Sequence, residues 1–310
     1  MRQLILQTPA YCYLEIAFKE WLDILGYGSM SVYNLPHIVR EFLHYLEGIE
    51  VTAINGLQQK HIRAYYSYIS SRENKKRGGG LSTNYTNKHL QAIDKFLEFL
   101  HHKGLQNVPT LGVQYEKLYR KEITILTTDE IKQLFAYTSR EDLDSKAEII
   151  QARDRAILVV YYSLGLRRNE GIHLSIDDIN FDTRIVHVRK GKNYKERFVP
   201  LNKTNAQYLQ SWVYDYRSTI VRSKTEHRLF INMRGDPMVG GSLYTRLKVL
   251  QMQAGNIELQ EKSIGLHTLR HSIATHLLAA GMSLEKIARF LGHSSLDSTQ
   301  IYTHLLKAIQ

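Results

Sequence analysis

With 310 residues, 43% of them hydrophobic, the chain is long enough for two domains with sizeable cores, and its composition excludes a disordered protein. Its formal net charge of +11 indicates a polyanion as the large partner, because Lys and Arg side chains replace the counterions of DNA. A single cysteine, Cys12, excludes an intramolecular disulfide framework, and the lack of a long apolar run or secretory signal predicts a cytoplasmic protein without membrane contact.

The first hundred residues show apolar positions at helical spacing in four segments. These segments are 11–25, 31–46, 58–72 and 82–102, and glycines interrupt the pattern between them. The pattern predicts a small all-α domain over residues 1–106.

Two groups of residues in this domain are candidates for DNA contact. The first is the basic, glycine-rich run of Lys75, Lys76 and Arg77. The second is the fourth helix, with short polar groups at its start and cations on its polar face: Ser82, Thr83, Asn84, Lys88 and Lys95. The alternative interpretation is a solvated loop and a solvated helix face.

A second domain is predicted over residues 123–310, after a linker at 107–122 that contains Pro109 and Gly112. Thr128 is predicted to cap its first helix, and 152–164 forms a nearly uniformly apolar, buried helix. Residues 184–189 and 196–201 alternate as two strands of a hairpin with a basic tip, and 228–232 is a candidate short strand. The predicted fold class is therefore mainly α with a small antiparallel β-sheet.

The chemistry is concentrated in residues 265–302. His267 and Arg270 leave one face of a helix, which is followed by Gly281 as a C-cap and Ser283 as the N-cap of the next helix. His293 comes next, and Tyr302 lies nine residues further on. Because His and Arg donate to phosphoryl oxygens and a tyrosine hydroxyl can attack phosphorus, the set suits phosphodiester transesterification.

The order H-x-x-R, L-G-H and Y resembles the C-terminal box of the tyrosine recombinase (phage integrase) family, most closely its Xer-like members. An earlier box of that family, G-L-R-x-x-E, is present as 165–170, with Arg167 as the first catalytic arginine and Glu170 as a partner for an arginine or histidine. The family's hairpin lysine corresponds to Lys192, although Lys190 and Lys195 share the same tip.

The resemblance implies a SAM-like core-binding domain followed by an α+β catalytic domain. It further implies attack by Tyr302 to give a 3′-phosphotyrosine, with Arg167 and Arg270 on the phosphate, His267 and His293 as donors and Lys192 as the general acid. No metal, nucleotide or other cofactor is expected. The implied partner is a double-stranded core site, bound by four protomers on two duplexes; whether accessory DNA-bending proteins take part is left open.

Other interpretations compete with this one. Residues 283–302 also resemble a helix-turn-helix, which would make the protein a DNA-binding regulator, and a recombinase fold without catalysis is a further alternative. A type IB topoisomerase shares the same chemistry. His267 and His271 could bind a metal, and Asp177 with Asp178 could suggest a nuclease, although capping is the commoner role of such a pair.

The last residues show Leu305, Leu306 and Ile309 at helical spacing, on a segment too short to form a stable helix alone. This apolar face must dock on another surface. The sequence leaves open whether that surface belongs to the same protomer or to a neighbour.

Overall fold

A computed structural model describes residues 4–74, 78–118, 122–141, 144–189, 196–293 and 297–306. Chain contacts divide the protein into two compact units, Met1–Lys121 and Glu122–Gln310. Within the described residues, none of the helices is both long enough and apolar enough to cross a membrane.

The described residues of the first unit contain four amphipathic α-helices, close to the bounds that the apolar spacing predicts. They are α1 (Pro9–Ile24), α2 (Ser29–Gly48), α3 (Gln59–Ser71) and α4 (Thr83–His102). Their apolar faces meet in one core, where Phe18 packs edge-on against Phe96 with ring centroids 5.5 Å apart. The segment after α4 joins this unit, since Val108, Leu111 and Val113 pack against the same core.

The second unit, as far as its residues are described, is mainly helical and has one small sheet. Its helices before the sheet are α5 (Thr128–Tyr137), α6 (Ser145–Leu158) and α7 (Arg168–His173). The helices after it are α8 (Lys203–Gln210), α9 (Ser218–Ile220), α10 (Gly240–Gln253), α11 (Ile257–Glu261), α12 (Leu266–Ala279), α13 (Leu284–Leu291) and α14 (Asp297–Leu306). The antiparallel sheet has the order β1 (Ile179–Asn180), β2 (Ile185–Val188) and β3 (Arg197–Pro200).

The sheet contains the predicted hairpin, with Val186 opposite Val199 and Val188 opposite Arg197. Its third strand is β1, which the sequence did not indicate. Residues 228–232 form isolated bridges, Ser175 to Arg228 and Ile231 to Pro237, so the prediction of a regular strand there was wrong.

The apolar segment predicted as one helix over 152–164 begins earlier and changes its winding. α6 starts at Ser145, and Val159–Ser163 is π-helical. The widened turn continues into Gly165, where the N–H of Leu166 donates to the carbonyl of Val160 at 3.1 Å. The wider π-turn changes the direction in which the chain leaves the helix, and such turns are frequent beside functional sites. The cap of α5 is Thr127 rather than Thr128, because the Thr127 hydroxyl accepts from the N–H of Glu130.

Candidate active site

Arg167 is the N-cap residue of α7 and follows the buried α6 and its π-turn. Gly165 has φ +59°, and a Cβ there would lie 2.9 Å from a methyl group of Leu291, so both the backbone and the packing require glycine. Arg167 is thus held at the end of a rigid, buried element, and its side chain remains 19% exposed.

Glu170 is the carboxylate at the centre of the site, and two arginines donate to it. Its side chain is 2% exposed, and it accepts 2.8 Å hydrogen bonds from the backbone N–H and from Nη1 of Arg167. Arg197 on β3 donates to both carboxylate oxygens, at 3.0 and 2.8 Å. Nη1 of Arg270 lies 3.9 Å from the same carboxylate. We call Arg167, Arg197 and Arg270 the arginine cluster.

Burial by itself would raise the pKa of Glu170. The hydrogen bonds and positive charge of Arg197, followed by those of Arg167, outweigh burial and lower that pKa to about 2. Glu170 is therefore ionised at neutral pH. Its contacts with Arg167 and Arg197 are direct, as the prediction of an arginine partner requires.

The arginine cluster also caps the C-terminal end of α13. Three consecutive carbonyls accept one guanidinium each: Phe290 from Arg197 at 3.0 Å, Leu291 from Arg270 at 2.8 Å, and Gly292 from Arg167 at 2.8 Å. The last carbonyls of a helix have no partner within it and carry partial negative charge, so cations are favourable there. His293 follows immediately, and the contacts fix its backbone.

Arg270 is almost fully buried on α12, with its second hydrogen bond going to the carbonyl of Gly165 at 2.6 Å. Desolvation, and then the neighbouring charge of Arg167, lower the pKa of Arg270 to about 10. The guanidinium is still protonated at neutral pH. Its contacts tie α12 to the Gly165 turn and to the end of α13.

The histidines of the site are neutral at physiological pH. Desolvation and the positive charges of Arg270 and Arg167 lower the pKa of His293 to about 4, and the pKa of His267 is lowered by the same causes. For His271, desolvation and then the charges of His267 and Arg270 lower the pKa to about 4. Nδ1 of His293 is 2.8 Å from the hydroxyl of the buried Thr299 on α14, which fixes the ring.

Tyr302 lies on α14 and is 1% exposed. Its ring packs among Ala274, Ile287 and Leu291 and stacks on His293, with centroids 6.2 Å apart. Its hydroxyl lies 3.3 Å from Nδ1 of His271. Burial raises the pKa of Tyr302 while the charges of Arg270 and Arg167 oppose that shift, so the net direction is upward and the phenol is protonated at neutral pH.

The helix that carries Tyr302 docks on its own unit. Leu305 packs partly buried against the cluster of Ala274, Ile287, Leu291 and Tyr302. The sequence left open whether this segment docks on the same protomer or on a neighbour. In the structure, Leu305 docks on the same protomer. Residues 307–310, with Ile309, lie outside the described residues.

The structure thus brings together Arg167, Glu170, Arg270, His293 and Tyr302, with His267 one helical turn before Arg270 on α12. Lys192, Lys190 and Lys195 lie outside the described residues, as do Lys75, Lys76 and Arg77. At the start of α4, Ser82 and Asn84 are exposed and Thr83 is half-buried; Lys88 is exposed on the next turn. Lys95 pairs with Glu98 at 2.5 Å. DNA contact by this face stays a prediction.

Three residues of the site were missed as functional candidates: Arg197, Thr299 and, as a tyrosine partner, His271. Arg197 carried no local signal because it appeared only as one polar position of an alternating strand. Asp178 accepts from the N–H of Ser175 at 2.9 Å, which agrees with the capping interpretation of the Asp pair. Within the described part of the chain, no group of three or more His, Cys, Asp or Glu side chains is arranged to hold a metal.

Comparison with known proteins gives the same assignment as the geometry. The model of the phage integrase family matches residues 124–308. The chain belongs to the phage integrase family. Among similar proteins, the tyrosine recombinase XerD of Oceanobacillus iheyensis is 34% identical over 95% of both chains. That of Staphylococcus saprophyticus is 30% identical over 95% of this chain and 96% of the relative. These findings confirm the prediction of a tyrosine site-specific recombinase.

Solved structures support the fold of this phage integrase family member. The XerH site-specific recombinase bound to palindromic difH substrate superposes with a TM-score of 0.70 at 20% identity, covering 96% of this chain and 82% of that chain. The Tn1549 transposon integrase in complex with transposon right end DNA gives 0.68 at 16% identity, covering 93% and 94%. The predicted fold class, mainly helical with one small antiparallel sheet, is confirmed.

The lowered pKa of Glu170 predicts an acid-dependent contribution to stability. A carboxylate whose pKa falls from 4.5 to about 2 on folding stabilises the native state fully above pH 4.5, and this stabilisation is lost as the pH falls towards 2. Glu170→Gln should lower the free energy of unfolding by about 3 kcal/mol at neutral pH, because it leaves buried guanidinium groups unbalanced. The difference from the parent protein should shrink between pH 4.5 and 2.

The fluorescence of the fully buried Trp212 reports the unfolding of the second unit and so gives its free energy of unfolding. A Trp21→Phe background removes the signal of the first unit. Asp129→Asn, which removes an exposed carboxylate on α5, is the control and should change stability little. A difference between parent and Glu170→Gln that stays constant from pH 7 to pH 2 would contradict the assignment.

Proposed function

We propose that this recombinase cleaves and rejoins DNA through a covalent bond between Tyr302 and a 3′-phosphate, using its own side chains without a metal or a nucleotide. The proposal is carried by the side chains that surround the tyrosine. Two neutral imidazoles border the ring of Tyr302, and the charges of Arg270 and Arg167 act on its hydroxyl.

The attacking group needs a base because the Tyr302 phenol is protonated at neutral pH. His271 and His293 are both neutral and can accept a proton, and His271 is already within 3.3 Å of the hydroxyl. During attack the tyrosine oxygen forms a bond to phosphorus, and its proton passes to an imidazole. His267 and the protonated form of His293 then donate to the phosphoryl oxygens.

Arg167 and Arg270 stabilise the negative charge that grows on the non-bridging oxygens. Each guanidinium carries five N–H donors, and the hydrogen bonds described above occupy two in Arg167 and two in Arg270, which leaves donors for a phosphate. Arg270 stays protonated near neutral pH because its pKa is lowered only to about 10, so its charge is present before the substrate arrives. Such preorganised charge is the largest single contribution in many enzymes.

The bond between phosphorus and the 5′-oxygen breaks as the tyrosine bond forms. Lys192, placed by the sequence motif in the hairpin before β3, supplies the proton to the leaving 5′-oxygen. The phosphotyrosine keeps the energy of the broken diester, and attack by a new 5′-hydroxyl releases Tyr302 and joins the strands. No net hydrolysis is needed.

The substrate is a duplex core site, which both units contact. The net charge of +11 and the exposed Ser82, Asn84 and Lys88 at the start of α4 support DNA binding by the first unit. The similar XerH and Tn1549 integrase structures were solved with DNA, which supports the same partner here. A tetramer on two duplexes then carries out strand exchange, and the protein works where DNA is found, in the cytoplasm.

Two alternatives make different predictions. The family match to 124–308 includes α13 and α14, so these helices belong to a recombinase domain and not to a separate helix-turn-helix regulator. A protein with this fold but without catalysis would bind the duplex and form no covalent adduct. Covalent trapping therefore separates the alternatives.

Tyr302→Phe should bind a nicked suicide duplex with unchanged affinity and form no covalent adduct, because it loses the hydroxyl and keeps the buried ring. Tyr162→Phe is a matched control, since it removes a hydroxyl that hydrogen-bonds His276 at 3.0 Å in the same unit. The control should lose about 1 kcal/mol of stability and still form the adduct. Denaturing gel electrophoresis of labelled DNA detects the product, and an adduct with Tyr302→Phe would remove Tyr302 as nucleophile.

Lys192→Ala should cleave an ordinary duplex slowly and recover on a substrate with sulfur in place of the 5′-bridging oxygen, because a thiolate leaves without a proton. Lys195→Ala, three residues further on in the sequence, is the control and should cleave both substrates alike. Single-turnover rates on the two substrates are compared. An equal defect of Lys192→Ala on both would exclude it as the acid, and selective recovery of Lys195→Ala would transfer the role to that residue.

A further inference from the structure

We propose that Arg197 is a positioning residue for cleavage. It compensates the negative charge of Glu170, so that this carboxylate orients Arg167 while the positive charge of Arg167 stays available to the phosphate. The inference rests on the proposed function and extends it to a residue outside the six catalytic positions. Arg197 begins β3, and its side chain is 8% exposed.

Arg197 shares Glu170 with Arg167. It donates to both carboxylate oxygens, whereas the Arg167 side chain donates to one, at 2.8 Å. A bidentate guanidinium contact is the strongest pairing available to a carboxylate. Arg197 is also the first favourable influence on the pKa of Glu170. Arg197 therefore compensates more of the negative charge of Glu170 than Arg167 does, and Arg167 keeps net positive charge for a phosphate.

Arg197 also contacts the end of α13. Its Nε donates to the carbonyl of Phe290 at 3.0 Å, two residues before Gly292. Gly292 has φ +65°, and a Cβ there would lie 2.9 Å from Nη1 of Arg197. The helix end is thus built around this guanidinium. Because His293 follows Gly292, Arg197 also fixes the backbone from which that histidine projects.

Removing Arg197 leaves Glu170 buried and charged with fewer partners. Its carboxylate then pairs more strongly with Arg167, which reduces the positive charge that Arg167 offers to the scissile phosphate. Arg197→Met should therefore lower the single-turnover cleavage rate about 100-fold, the scale of a small misplacement of catalytic groups, while the duplex dissociation constant changes less than about threefold. Adding Glu170→Gln should restore at least about tenfold of the rate, because the neutral amide oxygen can still accept from Arg167 but no longer offsets its positive charge.

Arg246→Met is the matched control. Arg246 makes an equally bidentate pair with Asp154, at 3.0 and 2.6 Å, and links α6 to α10 in the same unit. Its loss should lower stability without a comparable loss of cleavage per folded molecule. The readouts are the cleavage rate on a nicked duplex, the dissociation constant, thermal unfolding, and the Nε–Hε NMR signal of Arg167 in free protein.

Rescue of Arg197→Met by Glu170→Gln, together with a shifted Arg167 signal, would support the proposal. It is overturned if Arg197→Met cleaves within threefold of the parent, or if its defect matches that of Arg246→Met and is not rescued. If Arg197→Met does not fold, Arg197→Lys decides: a folded, slow variant rescued by Glu170→Gln supports the proposal, and an unfolded or fully active one overturns it. If the parent protein forms no covalent adduct, the proposed function is refuted. The NMR signal of Arg167 still shows in that case whether Arg197 positions Arg167.

Discussion

The balance of charge at Glu170 is the interaction on which the rest of the site depends. Its buried carboxylate is held by Arg167 and Arg197 and lies within 3.9 Å of Arg270. Those three side chains come from the N-cap of α7, from β3 and from α12. Without a carboxylate, three guanidinium groups would repel one another in a low-dielectric interior. With it, they approach closely enough to bind three consecutive carbonyls of α13 and to fix the position of His293. A single ionised group therefore links local capping to the geometry of catalysis.

The same cluster sets the protonation of the groups around Tyr302. Positive charge and burial keep His271 and His293 neutral, so they accept protons, while burial keeps the Tyr302 phenol protonated until a base acts on it. Tyr302, the proposed nucleophile, is also packed among Ala274, Ile287 and Leu291. Burial thus acts on this side chain twice, through packing on its own unit and through the raised phenol pKa.

Sequence reasoning predicted the parts of the fold that depend on local pattern. The four helices of the first unit, the β2–β3 hairpin and the cap at Ser283 follow from spacing and capping chemistry over a few residues. The role of Arg197 was not predictable in this way, because its partners Glu170 and Phe290 are 27 and 93 residues away. The π-turn at Val159–Ser163 was missed for a related reason: an apolar run looks alike in either winding, and tertiary packing around Gly165 decides between them. Arg167 and Tyr302 were predicted as catalytic residues from the motifs around them, because their residue types alone carry no such information.

The central claim is that Tyr302, among the 20 tyrosines of the chain, becomes joined to DNA. Peptide mapping of the adduct formed by the unaltered protein on a nicked duplex tests it most directly. After nuclease and protease digestion, mass spectrometry should find a nucleotide bonded through its 3′-phosphate to the peptide that contains Tyr302, with a free 5′-hydroxyl on the released strand. Attachment through any other residue, or through a 5′-phosphate, would contradict the account.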